Sequence, residues 1–435
     1  MLNVVIPESI PSLNKGEMAI LEGIKEALSL FEKSTITIYS PWPEVDRQRY
    51  SEGIKVASGY DFFKMLDGFS ENPRPFSRFD YIFRWSKLIS FAVVSRLSPA
   101  LARIIFRDEL LQALTCADLI IIGHDGCFSC ELFWFVLAGK IMYKPVAIYG
   151  VGKEGYANDV LTGFNKFIVR YAFKHTLINV IRDSGTLHFL LNNGVSQDLL
   201  RLSPDPAVLM KPCSDERTIE ILKTENVPLF SNSPLFGLIP VRGGVVYGAS
   251  FENEKNKLKK HELRVKFWIE LLEHLIKNTN AHFVFLPHCI GPVELNDDRK
   301  VAKEIAEGLP AYADRITLIT NEYSAVEFKG LMKQCAYVLS ERTHALIGAI
   351  SVATPCMALT VREDRRMHNI INTMFGRPTF DLNDPDIGSL KKLLLEEWEN
   401  RDTIKTAMET AAKKVINEAM KSAEVLKEKY NAFYS

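Results

Sequence analysis

The chain has 435 residues, too many for one ordinary hydrophobic core, so two or three domains are expected. Hydrophobic residues make up 47% and charged residues 24%, the balance of a water-soluble globular protein. Lys plus Arg and Asp plus Glu both number 53, which excludes a global field that would recruit nucleic acid or a membrane.

The opening Met1-Leu2-Asn3-Val4-Val5-Ile6-Pro7 has neither the basic start nor the long apolar stretch of a secretory leader. No window holds about 18 uninterrupted apolar residues. A cytoplasmic location is expected, and seven cysteines without framework spacing fit a reducing compartment.

In chain order, short apolar runs alternate with helical periodicity, the pattern of parallel α/β sheets. Strands are expected at Asn3–Pro7, Thr35–Tyr39, Leu119–Gly123, Val146–Gly150 and Leu177–Ile181, then at Leu235–Val241, His282–Leu286, Ile316–Ile319, Ala336–Leu339 and Cys356–Val361. Helical spacing falls at Lys257–Asn278, Val301–Leu309 and Ala325–Met332. The expected architecture is two Rossmann-like domains facing a cleft. The first spans 1–210, a proline-rich linker 211–234, the second 235–385, and helices at 386–435 pack across the domains. Active sites of such sheets lie beyond the carboxyl ends of the strands, so the chemistry is sought in the βα loops.

The first such loop, Asn14-Lys15-Gly16-Glu17, opens a helix at Met18–Leu28, with Gly16 allowing close backbone approach. The segment Arg74–Arg107 carries seven basic residues against one acid, Asp80, interleaved with aromatics such as Phe83, Trp85 and Phe91. Basic amphipathic stretches of this kind lie on anionic membranes, and a peripheral contact with the inner face of the membrane is one reading. A solvated face of the first domain is the other. Gly123-His124-Asp125-Gly126 presents an imidazole and a carboxylate after a strand, and Cys127-Phe128-Ser129-Cys130 follows without a second ligand pair. Arg182-Asp183-Ser184 ends the fifth strand, where Asp183 or Ser184 can cap a helix. Pro287-His288 ends another.

The most informative segment is Ser340-Glu341-Arg342-Thr343-His344. It follows a buried strand and leads into a helix over His344–Ala353. Helix N-termini expose unpaired N–H groups and favour anions. Arg342 adds a planar fork for carboxylate or phosphate and His344 a titratable donor. The plainer reading is a cap by Ser340 or Thr343 beside an incidental basic pair.

The chain has no G-x-G-x-x-G after its first strand, no Walker loop, no G-x-S-x-G elbow and no H-E-x-x-H. Dinucleotide oxidoreductases, P-loop enzymes, serine hydrolases and zincins are therefore disfavoured. What remains is Arg, His and Asp at strand ends, a set suited to a doubly anionic small molecule and acid–base chemistry upon it.

Taken in order, these loops resemble the polysaccharide pyruvyl transferase family. Asn14-x-Gly16-Glu17-x-Ala19-Ile20, Arg182-Asp183 with Thr186, Asp205-Pro206-Ala207, Pro287-His288 with Asp297-Asp298, and Ser340-x-Arg342-x-His344-x-x-Ile347 look like the family's successive motifs. The chain departs from the family at His124 and Asp125, where glycines are usual, at Arg365 or Arg366, where lysine is common, and at Thr354.

The resemblance implies a GT-B-like fold and transfer of pyruvate from phosphoenolpyruvate onto two hydroxyls of a glycan sugar, in polysaccharide biosynthesis. No cofactor is expected; metal dependence stays open, although no clustered ligand set calls for a metal. On this reading Arg342 and Arg182 bind the donor's phosphate and carboxylate. His344 is the first choice for acid–base work, with His288 or Asp125 second. Asn14, Gly16, Glu17, Gly123, His124, Ser340 and Arg365 line the substrate site. The partners are phosphoenolpyruvate and a glycan that is free or lipid-linked, with no nucleic acid. The rivals are a GT-B glycosyltransferase whose nucleotide-sugar diphosphate is held by Arg342 and Arg365, and an inactive glycan-binding member.

Overall fold

The computed structural model describes residues 1–31, 33–50, 52–58, 78–123, 130–153, 161, 163–228, 233–292 and 294–435. The chain divides into two compact units. One comprises Met1–Ser12, Ile24–Pro206 and Glu418–Ser435, the other Leu13–Gly23 and Ala207–Asn417.

The first unit holds a seven-stranded sheet of β1 (Leu2–Ser9), β2 (Ser34–Ser40), β3 (Ile54–Ser58), β4 (Leu119–Ile122), β5 (Val146–Val151), β6 (Asn179–Ile181) and β7 (Arg201–Leu202). Every pairing is parallel, in the order β3-β2-β1-β4-β5-β6-β7. The run Leu119–Ile122 is apolar at all four positions and buried at each, as a strand covered on both faces must be. The helix Arg78–Leu97 buries Trp85, Leu88, Phe91 and Ala92. It packs on the helix Cys130–Met142 through stacked Trp85 and Trp134, 4.8 Å between centroids. The basic-aromatic segment is thus in part a docked helix; its Arg74 and Phe76 lie outside the described residues.

The second unit repeats the plan with six strands: β8 (Leu235–Ile239), β9 (His282–Phe285), β10 (Ile316–Leu318), β11 (Cys335–Ser340), β12 (Cys356–Thr360) and β13 (Thr379–Asp381). They are again all parallel, in the order β10-β9-β8-β11-β12-β13. Both sheets therefore reverse direction between their first and fourth strands, the switch point at which such sheets bind ligands.

Three features stand beside the expected division. The stretch read as linker contains a helix, Asp215–Thr224, capped by Ser214 and buried through Thr218, Ile221 and Leu222. Its prolines bracket that helix rather than loosen the chain. The second unit also takes Leu13–Gly23 from the N-terminus, and the last helix, Arg401–Tyr434, is shared: its residues from Glu418 onward count with the first unit.

Candidate functional site

The loops that leave β8, β9 and β11 converge at the switch point of the second unit. After β11 the chain turns sharply: the Ser340 hydroxyl accepts the Arg342 N–H at 2.8 Å and donates to the Arg342 carbonyl at 3.1 Å. Both capacities of Ser340 are spent on the turn and the residue is fully buried. Ser340, expected in substrate binding, shapes this turn. The helix that follows is Thr343–Ser351, with Arg342 at its N-cap and no side-chain capping bond. The cap expected from Ser340 or Thr343 is absent, so the first-turn N–H groups have no side-chain acceptor from the cap position.

Arg342 does not project as an unengaged fork. Its Nε and Nη2 donate to the two oxygens of Asp298, at 3.1 and 2.7 Å. Asp298 opens the helix Asp298–Glu307 and also accepts the N–H groups of Arg242 and Cys289, at 3.1 and 3.0 Å. One buried carboxylate thus ties together the loops after β8, β9 and β11. Burial pushes the Asp298 carboxyl up while the Arg342 charge pulls it down, with a net rise. Burial works against the Arg342 charge, but Asp298 outweighs it and holds the guanidinium charged. The Arg342 side chain is 21% exposed, and its Nη1 has no partner among the described residues.

Glu341, between Ser340 and Arg342, faces the interior. It accepts from Arg264 Nη2 at 2.7 Å, Trp268 Nε1 at 3.1 Å and the Val241 N–H at 2.7 Å. Glu341, with both oxygens bonded, fixes the loop from behind, although the buried Nε of Arg264 has no partner among the described residues.

The N-terminal loop enters the same site. Lys15 N–H donates to the His288 carbonyl at 3.0 Å, Ile290 N–H donates to the Leu13 carbonyl at 3.0 Å, and Asn14 bridges antiparallel to Cys289. Asn14 Oδ1 accepts the Gly16 N–H at 3.1 Å and its Nδ2 donates to Glu17 at 2.7 Å, so both residues organise the start of the helix Lys15–Leu28. A Cβ on Gly16 would meet His344 Nδ1 at 2.7 Å and the His344 Cβ at 3.1 Å. Glycine is required there because the imidazole lies against the backbone. Lys15, buried, lies 3.6 Å from Glu322. The loop carrying Glu322 is pinned by Glu225, which accepts from Thr320, Asn321 and Tyr323.

His288 is buried at the end of β9. Burial, then the charges of Arg342 and Lys15, push its imidazole down to about 3. It is therefore neutral at physiological pH in the empty site. Burial pushes the neighbouring Cys289 thiol up to about 11, so it stays protonated.

The structure brings Asn14, Gly16, Glu17, His288, Arg342 and His344 into one unit. Arg365 follows β12 in the same sheet, half-buried, at the start of the short helix Arg365–Met367. In the first unit Gly123 ends β4 in a left-handed conformation, φ +88°. Its N–H donates to Glu8 at 2.6 Å, closing the switch point of that sheet. His124 and Asp125 lie outside the described residues. Arg182, expected to hold the donor, is fully buried with Nη1 3.0 Å from Asp205. Asp183 caps the helix Ser184–Asn192 through the Thr186 N–H, and Thr186 in turn accepts the Lys153 N–H.

The sequence reading missed Lys15, Glu225 and Glu341 and left Asp298 out of the site. Asp298 stood in the Pro287-His288…Asp297-Asp298 pattern; the others carry no local signature.

Two doubly wound parallel sheets of this kind give the chain a GT-B-like α/β fold. The chain belongs to the polysaccharide pyruvyl transferase family, which matches residues 14–363. Among solved structures it is similar to a glycosyltransferase from Rickettsia africae (13% identity, TM-score 0.56, 99% of this chain and 98% of that one). It is also similar to a UDP-GlcNAc 2-epimerase from Neisseria meningitidis bound to UDP-GlcNAc (16%, 0.55, 98% and 100%). A third is Anabaena HepE in complex with UDP and glucose (12%, 0.54, 98% and 100%). No curated protein matches the chain.

Proposed function

We propose that this transferase moves pyruvate from phosphoenolpyruvate to two hydroxyls of a glycan sugar as a cyclic ketal, releasing phosphate. The observation that carries the reading is the meeting of Arg342, His344 and His288 beside a helix start without a side-chain cap. Phosphoenolpyruvate bears a phosphate and a carboxylate, and such a start offers N–H groups to one of them. Arg342 Nη1 supplies a charged donor to the other, while Asp298 holds the guanidinium plane in place.

The reaction needs a proton at the methylene carbon, which becomes the methyl group, and a cationic C2. The first sugar hydroxyl adds at C2, and phosphate leaves with the C2–O bond electrons. The second hydroxyl then adds to the cation that phosphate leaves behind. Of the two hydroxyl protons, one balances the proton taken up by carbon and the other leaves on phosphate. His344, against Gly16 and next to the helix start, is the group assigned to shuttle them. Burial is the first cause of His288's neutrality; the charges of Arg342 and Lys15 that add to it are those a bound dianion offsets, so donor binding raises the His288 pKa. The reading places the enzyme in the cytoplasm, in the assembly of a cell-surface polysaccharide.

The test is phosphate release from phosphoenolpyruvate across a panel of glycan acceptors. Release that depends on an acceptor sugar supports the reading, and none with any acceptor sinks it. Because Anabaena HepE was solved with UDP and glucose, a nucleotide-sugar donor is the second reading. Thermal stabilisation by UDP-glucose but not by phosphoenolpyruvate would select it.

A further inference from the structure

The helix Gly163–Lys174 in the first unit buries Ile168, Val169, Ala172 and Phe173 and turns a second aromatic face outward. Phe164 and Phe167 are 62% and 55% exposed. Their rings stack at 6.2 Å, Phe167 lies 6.1 Å from Tyr171, and Tyr171 lies 4.3 Å from His175. The four rings make a ladder with one helical turn per step. Lys166, Arg170 and Lys174 flank it around an open hollow of about 400 Å³, and the helix carries no acid.

The ladder continues beyond its own helix. Lys140 Nζ lies 5.6 Å from the Tyr171 ring. One turn further along the chain, Tyr143 carries the Arg96 guanidinium 5.2 Å above its ring. Past Arg96 come the exposed Leu97 and, on the next short helix (Pro99–Ile105), the exposed Ile104 and Ile105. Residues 78–107 carry six cations against the single acid Asp80. Exposed phenylalanine, leucine and isoleucine edged by cations are what a protein offers to the headgroup layer of a bilayer.

We propose that this face docks on the anionic surface of a lipid membrane. The apolar side chains enter the acyl boundary while Lys166, Arg170, Lys174 and Lys140 meet lipid phosphates. A sugar platform is disfavoured, because among the described residues the hollow offers cations and rings but no carboxylate or amide for sugar hydroxyls. The contact is peripheral: among the described residues no helix is long and apolar enough to cross a membrane. The proposal is independent of which donor the enzyme uses.

The experiment is co-sedimentation of the full chain with phosphatidylcholine vesicles, with and without about one third phosphatidylglycerol, across a salt series. The wild type is expected to sediment with the anionic vesicles only, and less as salt screens the contact. The triple variant K166Q/R170Q/K174Q should bind about a hundredfold more weakly, about fivefold per charge. F164S/F167S should bind about tenfold more weakly at every salt concentration. All five positions lie on the outer face, so the melting curves of both variants should match the wild type. Wild-type protein left in the supernatant at low salt would overturn the proposal, as would folded variants that bind undiminished or equal binding to neutral vesicles. A dimer that F164S/F167S dissociates, without vesicle binding, would assign the face to a second copy and also overturn it.

Discussion

Arg182 and Arg342 have the same local setting in different units: each follows a parallel strand and precedes a helix. Arg182 is sealed from solvent against Asp205, and the adjoining helix is capped by Asp183. Arg342 is tied to Asp298 but partly exposed, and its helix start carries no side-chain cap. The residue that decides between the two roles is the one at the cap. An aspartate satisfies the helix start and leaves no room for an anion, whereas the cap position in the second unit leaves that start available.

The strongest way to break this contrast is at Arg342. Arg342→Ala should abolish turnover in the phosphate-release assay, and Arg342→Lys should fail as well, because one ammonium cannot bridge both oxygens of Asp298. A lysine variant with wild-type activity would show that the fork is dispensable. Arg182→Ala should act on the fold instead. It strands a buried Asp205 and should cost about 3–5 kcal/mol in urea denaturation. Undiminished stability with lost donor affinity would return Arg182 to the substrate site.

The His344 position separates chemistry from packing. His344→Gln should lower kcat by about 10²–10⁴-fold at near-constant donor affinity. Gly16→Ala displaces the same imidazole from the other side and should cost about 10²-fold in kcat. Should Gly16→Ala leave kcat untouched, the close approach has no part in catalysis.

The smallest effect concerns His288. Its folded pKa, about 3, lies below the unfolded value of about 6.5. Between these values the unfolded chain binds a proton that the native one refuses. Stability attributable to His288 is therefore complete above pH about 6.5 and is lost as pH falls, by at most about 1.4 kcal/mol per pH unit. Denaturation across pH 4–7 should show a shallower acid loss in His288→Gln than in the wild type, and identical slopes would refute the burial argument.

The sequence disclosed ten of the thirteen strands among the described residues. The three it hid, β3, β7 and β13, are all edge strands. β7 has two residues, β3 buries only Ala57, and β13 has no fully buried one. Central strands announce themselves by continuous apolar runs; of the four edge strands only β10, which keeps Ile316 and Leu318, was legible. Gly16, His288, Arg342 and His344 were legible because each stands in a compact motif. The engagement of Arg342 was not, because its partner Asp298 lies 44 residues away and pairing over that distance is a product of the fold. The neutral state of His288 follows from burial, and the helix Asp215–Thr224 was masked by flanking prolines.

Residues 1–12 serve one unit and the next eleven, Leu13–Gly23, serve the other. During synthesis this segment leaves the ribosome first, while His288, Ile290 and His344, against which it lies, are made when most of the chain is already out. The second unit must wait for its own opening segment to be recaptured across a long closed loop, at an entropic cost that grows only slowly with loop length. A clone covering only residues 207–417 would lack the backbone that meets His288 and the glycine that receives His344. The site is therefore assembled last, and an expression boundary drawn between the two sheets would cut through it.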